Sequence, residues 1–200
     1  MCELGVNYNS ATVGDLLRLN KVVTRLKTDK LRLLFPKMES INECSLECYA
    51  DASFANLSDC ASQGGFIILL KDSAGNSCPI FWQSRKIRRV VKSTLAAETL
   101  ALLDCASAAV YIREVLLEIC RCGPVPIRCY TDNKSLMDTL KSNKNVDDRR
   151  LRIDLAVLQD MVQKGDVNQI SWVDTSHQLA NCLTKRGAPA QQLRAAISRD

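Results

Sequence analysis

Leu46-Glu47-Cys48-Tyr49-Ala50-Asp51-Ala52-Ser53-Phe54 alternates apolar and polar side chains along its whole length. That period of two is the signature of a β-strand with one face turned to a core. Working downstream, Gly64-Gly65 opens the apolar run 66–70. Lys71-Asp72-Ser73-Ala74-Gly75-Asn76 reads as a turn, and 77–84 as the next strand. Three strands this close in sequence predict an antiparallel meander, its second and third members joined as a hairpin.

Beyond the meander the period changes. The spacing predicts a long helix from about Thr94 to about Ile119, with Ser93 or Thr94 as N-cap and Gly123-Pro124 as its stop. A strand over 125–130 leads to Asp132. Helices are expected over 133–142 and over 149–164, the latter ended by Gly165. A fifth strand spans 167–173, a helix 178–185, and a last short helix 191–198. Helical crossovers place strands four and five parallel to a neighbour. The expected fold is therefore α/β: a mixed five-stranded sheet, three strands antiparallel and then two parallel, flanked by helices.

Upstream, 12–28 reads as an amphipathic helix with Val13, Leu16, Leu17, Leu19, Val22, Val23 and Leu26 on its stripe. Pro36 ends the short apolar run 31–35, and the mostly polar 37–43 reads as a linker. The chain thus divides into a helical N-terminal segment (1–43), a main domain (44–187) and a C-terminal tail with helical character (188–200).

The 200 residues suffice for one good core. No apolar run approaches the length of a bilayer span, so no membrane association is expected. The start, Met1-Cys2-Glu3-Leu4-Gly5, lacks the basic and apolar regions of a secretory signal. Net charge is +5, compatible with a polyanionic partner without requiring one. The ten cysteines include no Cys-x-x-Cys pair, and His177 is the sole histidine, which argues against a zinc module. Cys48, Cys105 and Cys129 fall on apolar positions, where free cysteine acts as a small hydrophobe in a reducing, intracellular setting.

Three carboxylates stand out. Glu98 shares its helical face with Leu95, Leu102, Cys105, Ala109, Ile112 and Leu116 and is the one charge on it. Asp51 sits within a strand, where aspartate is disfavoured, although an exposed strand aspartate would be unremarkable. Asp132 ends a strand, where it could equally cap the following helix. Brought together, the three form a site for a hard divalent cation able to act on a phosphodiester. Next to the acidic helix runs Arg85-Lys86-Ile87-Arg88-Arg89-Val90-Val91-Lys92. A solvated loop is the plain reading; beside a carboxylate cluster, its cations become candidates for contact with a phosphate backbone.

These residues resemble the ribonuclease H domain of copia-type LTR retrotransposon Pol polyproteins. The motifs that carry the resemblance are Tyr49-Ala50-Asp51-Ala52-Ser53, Gly64-Gly65-Phe66-Ile67-Ile68, Phe81-Trp82-Gln83-Ser84-Arg85-Lys86 and Ser93-Thr94-Leu95-Ala96-Ala97-Glu98-Thr99-Leu100-Ala101. Tyr130-Thr131-Asp132-Asn133, Leu151-Arg152-Ile153-Asp154 and the run 172–185 follow in order, over about 46–186 in all. Residues 1–40 look like the end of a preceding reverse transcriptase region. The resemblance implies a ribonuclease H-like sheet and four acidic residues holding two magnesium ions, for which manganese can substitute. It implies that Asp51 bridges both ions and that Glu98 and Asp132 serve the leaving-group side. The fourth acidic position falls on Asn181, a neutral oxygen donor, so weakened or absent turnover with magnesium is expected. Asp174 could supply a substitute charge, or be an ordinary turn aspartate; His177 could shuttle protons, or be merely solvated.

The implied function is hydrolysis of the RNA strand of an RNA–DNA hybrid, contacted by Arg85, Lys86, Arg88, Arg89, Lys92 and Lys134. The implied partner is the reverse transcriptase domain of the same polyprotein. The implied setting is intracellular: cytoplasm, virus-like particles or nucleus. Two rivals remain: a catalytically inactive nucleic-acid-binding or structural remnant of the same fold, and an integrase-like or DNA nuclease.

Overall fold

In the computed structural model, which describes residues 11–29, 31–57, 60–142 and 146–198, the strands are β1 (Ser45–Ser53), β2 (Gln63–Lys71), β3 (Ser77–Lys86), β4 (Ile127–Thr131) and β5 (Gln169–Trp172). The helices are α1 (Val13–Thr28), α2 (Thr94–Cys120), α3 (Lys134–Lys141), α4 (Arg149–Gln163), α5 (Asn181–Thr184) and α6 (Gln191–Ile197). The sheet order is β3-β2-β1-β4-β5. β1 pairs antiparallel with β2, and β2 with β3; β1 pairs parallel with β4, and β4 with β5. This is the expected mixed sheet.

The alternating strand lies at its centre. Leu46, Cys48 and Ala50 join Phe66, Ile68, Ile127 and Cys129 against Leu102, Cys105, Ala106 and Ala109 of α2 and Leu151, Leu155 and Leu158 of α4. Every described cysteine is a free thiol, and Cys44, Cys48, Cys78, Cys105 and Cys129 are buried, as small hydrophobes would be. The other face of β1 carries Tyr49, stacked on Tyr130 at 4.8 Å between ring centroids, and buried Glu47, which accepts from the Tyr130 hydroxyl at 2.6 Å and pairs with Arg128.

Three elements differ from expectation. β4 runs from Ile127 to Thr131 rather than over 125–130. β5 is shorter than 167–173, because the Val167 amide is bound to Met161 O (3.0 Å) in α4 rather than to the sheet, and Asn168 spends its side chain on the amide of Ile127 (2.8 Å). The expected helix 178–185 is a single turn, α5, because Gln178 is drawn into the sheet. The N-terminal start Met1 to Gly5 lies outside the described residues.

α1 opens with a capping box between Thr12 and Asp15 and buries none of its residues; apart from half-buried Val22, the apolar stripe is exposed. The stretch 37–43 is fixed to the sheet rather than free of it. Met38 and Ile41 pack on the core, and Asn42 accepts from the Gly123 amide (2.9 Å). Asp29 pairs with Arg194 of α6, and the Leu34 amide donates to Ile197 (2.8 Å). Among the described residues, no helix is long and apolar enough to cross a membrane.

Candidate metal centre

Asp51, Glu98 and Asp132 converge: one ligand oxygen from each lies within 4.8 Å of the others. They meet at the end of the sheet where the parallel strands finish, a common place for a site in α/β sheets. Asp51 is the third residue from the end of β1. Ser93 starts α2 by accepting from the Ala96 amide (3.1 Å), which sets Glu98 one turn into the helix and facing the sheet. Asp132 follows β4. It does not cap α3; Asn133 does, accepting from the Leu136 amide (2.9 Å). Asp132 is thereby left to take the Thr175 hydroxyl (2.8 Å), while its carbonyl accepts from the Trp172 indole (2.9 Å).

The electrostatics are those of a site short of positive charge. Asp51 is fully buried, and Glu98 is 5% exposed. Burial, reinforced by the charges of Asp51 and Asp132, pushes the Glu98 carboxyl up to about 9. Burial also raises Asp51, against the pull of the Thr184 hydroxyl and Lys185. Glu98 Oε2 is buried without a hydrogen-bond partner. A buried acceptor left this way is costly, and a divalent cation ligated by all three carboxylates removes the cost. The donor set is all oxygen, which fits magnesium or manganese.

The segment after β5 completes the site. Gln178, buried, donates from Nε2 to Ala50 O (2.9 Å) and Tyr130 O (3.5 Å), bridging β1 and β4 just past their last paired residues, Tyr49 and Tyr130. α5 then lies across β1, β2 and β3. Ser53 and Ser84 donate to the carbonyls of Thr184 (3.0 Å) and Leu183 (2.5 Å). Thr184 donates its hydroxyl to Asp51 Oδ2, and Lys185 Nζ lies 3.0 Å from Asp51 Oδ1. Gly65 is the seat for this segment: a Cβ there would stand 2.9 Å from both Leu183 Cβ and Thr184 Cγ2. Gly65→Ala is expected to lower stability by about 1–3 kcal/mol and to weaken divalent binding. Gly64→Ala, whose Cβ meets the adaptable Ile87 side chain at 3.3 Å, is expected to cost less. Denaturant melts of the two variants check this.

Asn181 lies near Asp51, but through an intermediary. Its Oδ1 accepts from Lys185 Nζ (2.6 Å) and its Nδ2 donates to Thr175 O (2.9 Å). Asp174 caps the short turn Thr175–His177, accepting from the Ser176 amide (2.9 Å), and is not one of the clustered carboxylates. The Ser176 hydroxyl, which lies 3.2 Å from His177 Nδ1, is exposed along with the histidine.

The cations are less uniform than the sequence implied. Arg85 pairs with Asp104 (2.8 Å) and Arg89 with nearly buried Asp154, so these two tie the segment to α2 and α4. Lys86 is half-buried; Arg88 and Lys92 are exposed. Lys134 Nζ stands 4.6 Å over the Trp172 ring, a cation–π contact beside Asp132. Sequence reasoning missed Gln178, Thr175, Thr184 and Lys185. All four lie inside the run 172–185, whose dense polar content was the available signal.

No protein-family model matches the chain. It is 31% identical over 147 residues to the retrovirus-related Pol polyprotein from transposon RE1 of Arabidopsis thaliana, and equally to that from transposon RE2. Each match covers 72% of this chain, which spans about a tenth of the length of those relatives (10%). Among solved structures, LC11-RNase H1, isolated from compost by a metagenomic approach, superposes with a TM-score of 0.51 at 14% identity, covering 70% of this chain and 92% of that one. The same enzyme in complex with an RNA/DNA hybrid gives 0.51 at 13% identity, covering 70% and 94%.

Proposed function

We propose that this chain is a ribonuclease H-like domain of a retrotransposon Pol polyprotein, as its relatives and its fold support, and that it cuts the RNA strand of RNA–DNA hybrids with divalent metal held at Asp51, Glu98 and Asp132. The observation that carries this reading is the convergence of three carboxylates around an unpartnered Glu98 oxygen.

A divalent ion bound there supplies Lewis-acid charge at the scissile phosphate. The chain's own residues do the rest. Thr184 and Thr175 hold Asp51 and Asp132 in place, and the surrounding core keeps water from the back of Glu98. Lys134, steadied over Trp172, takes a neighbouring backbone phosphate; Arg88 and Lys92 extend that contact along the strand. Arg85, Lys86 and Arg89 shape the segment that presents them. Recognition of this kind reads backbone shape and 2′-hydroxyls, so little base preference is expected. We assign the catalytic unit to 44–187, with residues 1–43 leading from a polymerase region of the same polyprotein and 188–200 as its tail. Magnesium is the cation we assign, with manganese as a substitute, and the setting is intracellular.

One observation favours a second reading, an inactive remnant: the fourth position is an amide bound to an ammonium rather than a carboxylate. A cleavage assay on labelled hybrid separates the two. Slow cleavage with magnesium and faster cleavage with manganese is the expected result. No cleavage with either metal, even in Asn181→Asp, selects the remnant. Duplex DNA cut as well as hybrid overturns the substrate assignment.

A further inference from the structure

The position of Lys185 bears on how many ions the pocket takes. Its ammonium is 3.0 Å from Asp51 Oδ1 and 2.6 Å from Asn181 Oδ1. It is therefore bound to the one carboxylate that also carries the Thr184 hydroxyl, and to the side chain that stands at the fourth position. The contact is built rather than casual. Asn181 and Lys185 are one helical turn apart, and the Lys185 amide bonds the Asn181 carbonyl (3.0 Å). Asn181 uses both ends of its amide: Nδ2 donates to the Thr175 carbonyl, so Oδ1 is turned to the lysine. An aspartate could not do this, since it has no donor for that carbonyl. Thr175 in turn donates to Asp132, so the same network reaches a second carboxylate.

The charge count agrees. Three buried or half-buried carboxylates are balanced by one ammonium and one divalent ion, and a second divalent ion would leave the pocket with excess positive charge while Lys185 stays.

Building on the metal-site reading above, we infer that Lys185 is a tethered cation occupying the place of a second metal at Asp51 and Asn181, so that the pocket takes a single divalent ion among Asp51, Glu98 and Asp132. Asn181 is then the partner of Lys185, fixed by Thr175, and a positioning residue. Glu98 is not among the partners of this pair, and its Oε2, unpartnered, is kept for the ion.

Calorimetric titration of manganese into metal-free protein tests this by stoichiometry and affinity, without any need for turnover. The wild type is expected to bind one ion. Lys185→Gln, a change at a side chain 42% exposed, is expected to bind that ion on the order of tenfold more tightly, because a competing positive charge is gone. Lys185→Arg is expected to keep one ion, and the double variant Lys185→Gln with Asn181→Asp to take two. Two ions in the wild type, no gain in affinity in Lys185→Gln, or one ion in the double variant each overturn the inference and leave the metal site standing. Absence of binding in the wild type and in Lys185→Gln overturns the metal site itself.

Discussion

Asp51→Asn is expected to reduce divalent-dependent hybrid cleavage by at least about 100-fold while leaving the protein folded. Asp51 touches every part of the site: it lies within 4.8 Å of Glu98 and Asp132, takes the Thr184 hydroxyl, and pairs with Lys185. Asparagine keeps the volume and one acceptor for Thr184, so the packing of β1 survives. It removes the charge, and with it the main reason for a hard cation to enter. It also sets a neutral amide beside Lys185, whose ammonium loses a partner; that side chain is exposed enough to turn to water. Since burial already raises Asp51, removing its charge relieves desolvation and is not expected to lower Tm appreciably. Cleavage rates at saturating magnesium and manganese, read beside a thermal melt, check both halves. Undiminished cleavage would remove Asp51 from the site.

Glu98→Gln is expected to stabilise the metal-free protein by about 1–3 kcal/mol at neutral pH, raising Tm by several degrees. The sign follows from proton binding. In the unfolded chain this carboxyl has its ordinary value of 4.5, and in the folded protein burial carries it to about 9. Between those values the folded state holds a proton that the unfolded state has lost, so stability of the metal-free protein falls as pH rises through that window. Glutamine carries no titrating proton and removes that slope. A bound divalent ion acts in the opposite sense, because it needs the ionised carboxylate: its stabilising effect on the wild type should grow with pH over the same range. Glu98→Gln should therefore be the more stable protein without metal and the less responsive one with it. Thermal melts at pH 5, 7 and 9, with and without manganese, separate these effects. A variant less stable than wild type without metal, or with an unchanged metal response, contradicts the assignment.

Much of this was readable from particular residues. The alternation around Asp51 placed β1, and the change of period after Ser93 placed α2. Glu98 was visible because a charge on an otherwise apolar face has no local explanation. The contacts that were not legible join residues far apart in the chain, which leave no period behind. Lys185 on Asp51 and Thr184 against Gly65 are fixed by how α5 crosses the sheet. Asp132 and Asn133 are neighbours with equal claims to cap α3, and only the packed structure awards that role to Asn133. The basic run 85–92 shows the same limit: composition suggested five outward cations, but Arg85 and Arg89 turn to Asp104 and Asp154, partners that lie on helices formed later in the chain. The single turn of α5 has a similar cause, since the amide of Gln178 serves the carbonyls of β1 and β4.

Asp51, Glu98 and Asp132 together make one candidate cation pocket, and the proposed chemistry depends on it. Anomalous diffraction from crystals grown with manganese locates the ion directly. A peak bounded by those three carboxylates, with Glu98 Oε2 among its ligands, is the expected result. Manganese bound only elsewhere on the protein would contradict it.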